Sequence, residues 1–464
     1  MKSIQKKMLA DMHDRSLFSK AHKFGFNYIK KAFDRNVYPT KKALKNLTGF
    51  DESMPSSPSE AKDVVETLQK LGAPATLAQI GGRYYGFVNG SVTPAGLAAK
   101  TLASYWDQNT ALHVMSPVVS KLETVVEKWL RELFNLPEQT VASFVSGTSS
   151  ANMCGLLAAR YKLYQNLGCD INKQGLYGAP KLKVVASTHA HSAVTRALNI
   201  LGFGSDNIHY VNADEEGRIK HEEIPVLDNS TLLILQAGNV NTGSFDEFKT
   251  TCAKAKAAGA WVHIDGAFGL WAGATDSFKH LTEGMENANS FAADGHKTLN
   301  TPYDCGVVMC TDPESLAAAL SAHGAYLIRS EERDPMLYTP EMSRRARIID
   351  LWATLKYLGK DGLNEMVLNM HERAKQFAEA FEQTPGFTVL NDVVFNQVLI
   401  KCDNDKITSS VLQKVQEDRV CWAGSSSWND QKVIRISVCS WATTKEDVRM
   451  SVESFQKALK ETKA

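Results

Sequence analysis

Two charged residues, Asp265 and Lys297, lie 32 positions apart, and each follows a short apolar run. Burial and neighbouring charges lower the pKa of a lysine, and its neutral amine is then a nucleophile that forms an imine with an aldehyde. A carboxylate at the end of a buried strand needs a cation to face, such as a protonated pyridine nitrogen. Ala267 is small enough to let a flat ring lie against it. A helix cap for Asp265 and a solvated charge for Lys297 are the alternatives.

The segment SGTSSAN, residues 146–152, places hydroxyl groups where a helical pattern begins. Gly147 permits a tight turn, and a helix start offers unpaired N–H groups, so the segment predicts a phosphate site. The hydroxyls belong to Thr148, Ser149 and Ser150. An ordinary Ser/Thr cap is the alternative. The spacing matches neither a Walker loop nor a dinucleotide fingerprint, which argues against a nucleotide ligand.

Two histidines, His189 and His191, lie where an apolar run gives way to a helical pattern. Such a pair could bind a metal, but no carboxylate or third histidine has matching spacing, so no metal site is predicted. An imidazole could instead cover one face of a flat cofactor, and a helix-capping histidine is the alternative. Arg435 interrupts an apolar run between two isoleucines, and this setting favours a functional role over a surface strand position.

These residues follow apolar runs that recur between about residues 140 and 310. Helical stretches separate most of the runs, and this alternation predicts an α/β fold with a largely parallel, doubly wound sheet. Ligands bind such sheets at the carboxyl ends of the strands, where the unusual residues lie. The runs are 141–146, 183–188, 209–213, 232–238, 261–267 and 305–310, and a small-residue strand precedes Lys297.

The pattern along the chain indicates three parts. Residues 1–110 are expected to form a helical arm that packs on a partner subunit, residues 111–350 the large domain with the sheet, and residues 351–464 a smaller α+β domain. Helices are expected at 118–134, 344–358, 365–382, 409–417 and 444–459, with strands near 387–400 and 433–439.

Composition narrows the function classes. The 464-residue chain has 52 Lys and Arg against 51 Asp and Glu, and a net charge of +1 argues against nucleic acid as a partner. Twelve of these cations lie in the first fifty residues, which is typical of a solvated basic arm. No apolar run approaches the ~20 residues of a membrane span. The eight cysteines are scattered without metal-ligand spacing, which indicates a reducing, cytoplasmic compartment.

The order of these motifs resembles that of the pyridoxal-phosphate-dependent group II amino-acid decarboxylases, the relatives of aromatic-L-amino-acid and glutamate decarboxylases. The resemblance runs from about Tyr84 to the end of the chain. Its residues, in order, are 147–150, His191, 239–241, 265–267, His296-Lys297 and Arg435. It implies the type I fold of pyridoxal-phosphate enzymes, decarboxylation of an L-amino acid to its amine, and a homodimer with active sites at the subunit boundary.

The resemblance also implies a role for each matching residue. Lys297 holds the cofactor as an internal aldimine, and Asp265 keeps the pyridine nitrogen protonated so that the ring is an electron sink. His191 stacks on the ring opposite Ala267 and takes part in proton transfer. The phosphate is bound by Thr148, Ser149, Ser150 and His296, and the ring hydroxyl lies near Asn239 and Asn241. The substrate is bound by Arg435, through its α-carboxylate, and by the pocket-wall residues Phe87 and Asn89.

The chain departs from the family pattern at two places. Segment 328–347 is shorter than the mobile loop of aromatic-amino-acid decarboxylases, and Tyr338 does not coincide with the proton-donating tyrosine of that loop. The proton donor is therefore open between Tyr338, His191 and a residue of the partner chain. Asp294-Gly295 stands where many relatives have Asn-Pro, which marks a separate branch.

Three functions compete on this sequence. Decarboxylation leads, another reaction of the same cofactor (aminotransfer or aldehyde-forming oxidative deamination) is the alternative, and a catalytically silent binding protein is the third. The substrate is not identified by the sequence. Phe87 favours an uncharged side chain, whereas a set of cations leaves an acidic substrate open. These cations are Arg83, His113, Arg344 and Arg345.

Overall fold

The main element of the fold is a seven-stranded sheet. The computed structural model describes residues 3–320 and 332–464, so positions 328–331 of the shortened segment lie outside the described residues. The strands are β1 (Val141–Val145), β2 (Lys183–Ser187), β3 (Ile208–Val211), β4 (Thr231–Gln236), β5 (Trp261–Asp265), β6 (Ser290–Asp294) and β7 (Gly306–Cys310). Their order is β1-β7-β6-β5-β4-β2-β3. Strand β7 runs in the opposite direction to the other six strands of this sheet. The predicted, largely parallel sheet is therefore confirmed.

Helices cover both faces of the sheet and also occur before and after it in the chain. They are α1 (Ile4–His13), α2 (Arg15–Ala32), α3 (Lys41–Lys45), α4 (Ala61–Thr67), α5 (Pro94–Trp106), α6 (Pro117–Phe134), α7 (Thr148–Asn166), α8 (Ile171–Gln174), α9 (Ser192–Ile200), α10 (Lys249–Ala257), α11 (Pro313–Leu320), α12 (Arg347–Glu382), α13 (Asp405–Asp418) and α14 (Lys445–Lys463). Within residues 3–320 and 332–464, no helix combines the length and apolar character needed to cross a membrane.

Both faces of the large sheet are buried, which is why its strands read as nearly continuous apolar runs. On β4, Leu232 and Ile234 pack with side chains of α7 and α9 on one face. Leu233 and Leu235 point the other way and pack with side chains of α6, α10 and α12. This alternation places one layer of helices on each side of the sheet.

A second, antiparallel sheet of four strands follows in the chain. Its strands are β8 (Thr388–Val389), β9 (Gln397–Lys401), β10 (Gly424–Trp428) and β11 (Gln431–Ser437), in the order β10-β11-β9-β8. Helix α13 packs on β11, and α14 packs on α12 and α13. Strand β10 was not predicted, because its sequence GSSSW lacks an apolar alternation and it lies at the edge of the sheet.

The helix expected at 344–358 is corrected by the structure. It begins at Arg347 and continues to Glu382, with a break at Gly359 (φ 60°), so it includes the helix predicted at 365–382. Arg344 and Arg345 precede it and use their guanidinium groups for tertiary contacts: Arg344 donates to Glu123, and Arg345 donates to Asp304 and Asp350.

The strand directions gather the candidate residues at one edge of the large sheet. Strands β4 and β5 are parallel and in register, with Gln236 opposite Asp265, and β6 ends nearby at Asp294. Strand β1 is antiparallel to β7, which is antiparallel to β6, so β1 also ends at this edge. A Cβ on Gly306 would lie 2.4 Å from the Cα of Gly147, so only glycine permits the approach of these two backbones.

Candidate active site

The ammonium group of Lys297 forms an ion pair with Asp294. Its Nζ lies 3.2 Å from Oδ2 of Asp294, and the lysine side chain is only 19% exposed. The solvated-charge alternative for Lys297 is therefore wrong. The ion pair joins two residues that lie three positions apart in the turn after β6.

Asp265 is buried at the end of β5, with 4% of its surface exposed. Burial raises the pKa of Asp265, and the charges of His191 and Lys297 act against that rise. Its Oδ1 accepts a hydrogen bond of 3.2 Å from the Ala267 backbone N–H. The carboxylate thus faces the two candidate catalytic groups while its own turn holds it in place.

His191 is the N-cap of α9 and lies among charged groups. Its Nδ1 accepts a hydrogen bond of 3.3 Å from the Ala193 N–H, so the neutral ring carries its proton on Nε2. The pKa of His191 is lowered, and burial is the main cause. The surrounding charges also shift this pKa, some upward and some downward. Those charges are Asp265, Lys297, Arg435 and Asp294, so each of these groups lies near enough to act on the same imidazole.

His189 points to a different neighbourhood from His191. Its ring centroid lies 4.7 Å from that of Trp428, on β10. Burial lowers the pKa of His189 as well. In the part of the chain that the structure describes, no three His, Cys, Asp or Glu side chains are grouped so as to hold a metal ion.

The predicted phosphate segment lies at the N-terminus of α7, where Gly147 provides no side-chain cap. The Thr148 N–H donates to Oδ1 of Asp294 over 2.6 Å, while the Thr148 hydroxyl is buried without a partner among the described residues. Ser149 is exposed, and the hydroxyl of Ser150 lies 3.2 Å from that of Ser146. The segment thus offers one buried, unused hydroxyl and one exposed one.

His296 lies beside this segment. Its Nδ1 accepts a hydrogen bond of 3.1 Å from the Cys305 N–H, and its Nε2 lies 3.6 Å from Oδ2 of Asp294. The ring stacks on Tyr303 with a centroid distance of 4.3 Å. His296 is therefore fixed with Nε2 directed to the same carboxylate that binds Lys297 and Thr148.

The two asparagines matched to the ring hydroxyl both hold the turn after β4. Oδ1 of Asn239 accepts the Asn241 N–H over 2.9 Å, and Oδ1 of Asn241 accepts the Ser426 hydroxyl over 2.7 Å. Gln236, which sequence reasoning did not single out, ends β4 with its Oε1 buried and unpaired within the described part of the chain.

The expected pocket wall lies directly on the Lys297 backbone. A Cβ on Gly90 would be 2.1 Å from the Lys297 carbonyl oxygen. Phe87 (φ 54°) and Val88 (φ 56°) both have left-handed backbones, a strained conformation for such side chains. Phe87 is 62% exposed and stacks on Trp422, whereas the Asn89 amide donates to Gln79 over 3.3 Å. Phe87 therefore offers an open aromatic face, and Asn89 a structural bond.

Arg435, on β11, differs from the other candidate cations. Its guanidinium makes no hydrogen bond or ion pair with residues 3–320 or 332–464, Nε is buried, and burial lowers the pKa of the group. The other cations considered for an acidic substrate all have protein partners. Arg83 pairs with Asp447, His113 with Ser120, Arg344 with Glu123, and Arg345 with Asp304 and Asp350.

Several buried polar residues behind this edge escaped sequence reasoning. His263 lies in the middle of β5, Ser290 begins β6, and Asn152 follows the hydroxyl segment in the first turns of α7. All three are fully buried and hydrogen-bonded to one another. Of the three, only Asn152 left a signal in the sequence, because it is a polar residue within the segment 146–152. His263 left none, because a histidine in a strand is recognised as a buried polar residue only when its neighbours in space are known.

The unused polar atoms at this edge fit pyridoxal phosphate. The Thr148 hydroxyl and the α7 N-terminus suit a phosphate ester, and the buried carboxylate of Asp265 suits a protonated ring nitrogen. Lys297 supplies a primary amine beside them, and Arg435 is a cation with no counter-ion among the described residues. The donor set therefore matches an anionic, aromatic aldehyde and an additional carboxylate.

Comparison with known proteins agrees with this donor set. The model described as the pyridoxal-dependent decarboxylase conserved domain matches residues 43–402. Tyrosine decarboxylase 2 of Narcissus pseudonarcissus is 24% identical over 434 residues, with 87% of this chain and 85% of that protein covered. Phenylacetaldehyde synthase of Petunia hybrida is 26% identical over 372 residues, with 75% and 72% covered. The crystal structure of Oryza sativa TDC with PLP and tryptamine shares the fold, with a TM-score of 0.88 at 21% identity and 96% and 97% covered.

Proposed function

The chain belongs to the pyridoxal-dependent decarboxylase family, and we propose that it removes the α-carboxylate of an L-amino acid as carbon dioxide to give the amine. Pyridoxal phosphate is the cofactor, as the sequence predicted. When bound, it supplies an electron sink for the charge that loss of carbon dioxide leaves on Cα. The observation that supports the proposal is that the ion-paired Lys297 and the buried Asp265 follow adjacent parallel strands at one edge of the sheet, beside the N-terminus of α7.

The binding roles follow from charge and burial. We propose that Lys297 anchors the aldehyde carbon of the cofactor and that Asp265 keeps the ring nitrogen protonated. Thr148 and His296, together with Ser149 and Ser150, bind the phosphate. Asn239 and Asn241 fix the turn beside the ring, and the methyl group of Ala267 leaves room for it. These residues would hold the ring between the sheet edge and His191.

Arg435 is proposed to orient the substrate. Its guanidinium is held in an apolar strand without a protein counter-ion among the described residues, so a substrate carboxylate gains a charge-assisted hydrogen bond there. Fixing the carboxylate sets the direction of the bond that breaks, and orientation accounts for a large share of the rate enhancement.

The proton for Cα is proposed to come from Nε2 of His191. That atom carries the proton of the neutral ring, because Nδ1 is occupied by the Ala193 N–H. Tyr338, the alternative within this chain, packs under the guanidinium of Arg333 at 4.9 Å and joins the apolar side of α7. The geometry therefore favours His191.

The substrate is proposed to have an uncharged, and preferably aromatic, side chain. The four cations that could have recognised a second acidic group are all engaged with protein partners. Phe87 and Trp422 form an accessible aromatic surface next to the Lys297 backbone. The name tyrosine decarboxylase, carried by one relative, agrees with this choice.

A second candidate reaction is aldehyde formation, which the relative named phenylacetaldehyde synthase favours. One experiment separates the candidates. The loaded enzyme is given each of the twenty amino acids, and carbon dioxide, amine, aldehyde, keto acid and hydrogen peroxide are measured. Carbon dioxide with an equal amount of amine supports decarboxylation. Aldehyde with hydrogen peroxide supports oxidative deamination, and keto acid without carbon dioxide supports aminotransfer.

We also propose that two copies of the chain form a dimer, with residues 1–110 as an arm on the partner, 111–350 as the cofactor-binding domain and 351–464 as the small domain. Large apolar side chains stay exposed on and after α5, which supports a covered surface. They are Leu102, Tyr105, Trp106, Val114 and Met115. The cytoplasm is the proposed compartment, since all eight cysteines are free. Light scattering tests the dimer, and a monomer at micromolar concentration contradicts it.

A further inference from the structure

A line of buried polar side chains leads from the middle of the sheet to Asp265. The Trp261 Nε1–H donates to the Ser290 hydroxyl over 2.9 Å, and that hydroxyl lies 2.8 Å from Nδ1 of His263. On the other side of the ring, Nε2 of His263 lies 2.9 Å from Oδ1 of Asn152. Trp261 is 3% exposed and the other three residues are not exposed at all, so water does not satisfy these groups.

The last link reaches the carboxylate. Nδ2 of Asn152 has no well-aligned hydrogen bond within the described residues, and the side chain of Asn152 lowers the pKa of Asp265 through a polar contact. Asn152 therefore has its oxygen directed to His263, and its amide nitrogen is buried close enough to Asp265 to act on the carboxylate, without an aligned hydrogen bond.

The donor in each of these hydrogen bonds is determined by the two end groups, Trp261 and Asp265. The Trp261 indole can only donate, and an ionised Asp265 can only accept. Ser290 accepts from Trp261, so its own proton goes to Nδ1 of His263, and the neutral ring then carries its proton on Nε2. A flipped Asn152 amide would place its oxygen against the carboxylate, which is unfavourable. One arrangement thus gives partners to Trp261, Ser290, His263 and the Asn152 oxygen, and it leaves the Asn152 N–H groups as the donors available to Asp265.

The absence of a side chain at Gly155 leaves space for the His263 ring. A Cβ on Gly155, one turn along α7 from Asn152, would lie 2.7 Å from Cε1 and 2.8 Å from Nδ1 of His263. Burial lowers the pKa of His263 to about 3, so the ring stays neutral at physiological pH. The imidazole is therefore held in one place and one charge state by its surroundings.

We propose that Trp261, Ser290, His263 and Asn152 form a one-directional hydrogen-bond chain that holds Asp265 in place and in its charged form. They are positioning residues, because each acts on Asp265 through the next. The inference rests on the proposed function, because the charge of Asp265 matters for its interaction with the ring nitrogen of pyridoxal phosphate. Donated hydrogen bonds in a dry site stabilise a carboxylate more than they do at a surface.

The first test needs no cofactor. The full-length apoprotein is labelled with ¹⁵N-histidine, and the His263 signals are assigned by their loss in His263→Gln. The chain predicts a neutral ring protonated on Nε2 from pH 5 to pH 8. A ring protonated on Nδ1, or one that titrates near pH 6.5, overturns the proposal. This outcome does not depend on whether the protein is a decarboxylase.

The second test compares two probes: pyridoxal phosphate and its analogue with carbon in place of the ring nitrogen. In Asn152→Ala the dissociation constant for pyridoxal phosphate should rise about tenfold, the effect of one hydrogen bond to a charged group, and that for the analogue should not change. Equal weakening of both probes would mean that Asn152 is merely structural, and it overturns the proposal. Failure of the unaltered protein to bind pyridoxal phosphate refutes the proposed function instead.

Two further variants keep the second test interpretable. Asn396→Ala removes an equally buried asparagine, 1% exposed, whose amide donates to the Val438 carbonyl, and it should change neither dissociation constant. Gly155→Ala keeps every polar group but moves the His263 ring, so it should weaken pyridoxal phosphate and spare the analogue, as Asn152→Ala does. If Gly155→Ala binds both probes normally, the position of His263 is irrelevant and the proposal is wrong.

Discussion

Nζ of Lys297 lies 3.2 Å from Oδ2 of Asp294, and the other oxygen of the same carboxylate accepts the first N–H of α7 from Thr148. One carboxylate thus bridges the residue proposed to anchor the cofactor and the segment proposed to bind its phosphate. Before the cofactor binds, the Asp294 carboxylate is the counter-ion of the Lys297 ammonium and of the positive end of the α7 helix dipole.

The first prediction concerns this carboxylate. Asp294→Asn keeps an acceptor for the Thr148 N–H but removes the carboxylate that pairs with the Lys297 side chain, so the side chain is released to react with the cofactor. We expect apoprotein at pH 7 to take up pyridoxal phosphate about fivefold faster, measured by absorbance in a stopped-flow instrument. Glu283→Gln, which removes a surface partner of Lys249, is the control and should have no effect. Slower uptake would show that the carboxylate assists binding.

The second prediction concerns Asp265. Asp265→Asn has the same shape but no charge for the ring nitrogen, so turnover should fall about 100- to 1000-fold while the cofactor stays bound. Carbon dioxide release and the absorbance of bound cofactor are measured on the same sample. Asp276→Asn, at an exposed ion pair, is the control. Turnover within a factor of two of the unaltered enzyme would refute the role of Asp265 as the partner of the ring.

The third prediction separates binding from stability at Arg435. Arg435→Gln removes a cation that has no counter-ion among the described residues, so the apoprotein should gain about 1 kcal/mol in free energy of unfolding. The same change should raise the KM for the amino acid about tenfold or more, because the carboxylate loses its partner. Arg83→Gln breaks the buried pair with Asp447 and should instead destabilise the protein. A destabilised Arg435→Gln would indicate a structural role.

The fourth prediction is a pH dependence of stability from His263. Burial lowers the pKa of His263 from 6.5 to about 3 in the folded state, so only the unfolded chain binds the proton between these values. The stabilisation is present above pH 6.5 and is lost as the pH falls. Between pH 7.5 and pH 5.5 the cost is about 1.4 kcal/mol. Urea unfolding of the apoprotein should show this loss, and His263→Gln should lack it. Equal losses in both proteins would contradict a neutral, buried His263.

The strands and the site edge could be predicted from the sequence because both follow from local patterns. Buried parallel strands read as apolar runs, and residues after such runs meet at one edge of the sheet. Asp265, Lys297 and His191 were placed together on this basis. Strand β10 was missed because serines at a sheet edge leave no apolar signal.

The partners of the charged residues could not be predicted, because they depend on contacts between distant segments. Asp294 was read as a family difference, and only the turn after β6 brings its carboxylate to Lys297. Arg344 and Arg345 were candidates for binding an acidic substrate. In the structure Arg344 binds Glu123, more than 200 positions away in the chain, and Arg345 binds Asp304, about 40 positions away. The line from Trp261 to Asp265 joins β5, β6 and α7, which no local pattern connects.

The most direct test of the central claim is the identity of the lysine that carries the cofactor. The enzyme loaded with pyridoxal phosphate is reduced with borohydride, digested, and analysed by mass spectrometry. The account predicts that the cofactor mass is found on the peptide containing Lys297 and that Lys297→Ala loses both the label and the visible absorbance. A label on another lysine, or a coloured and active Lys297→Ala enzyme, would contradict it.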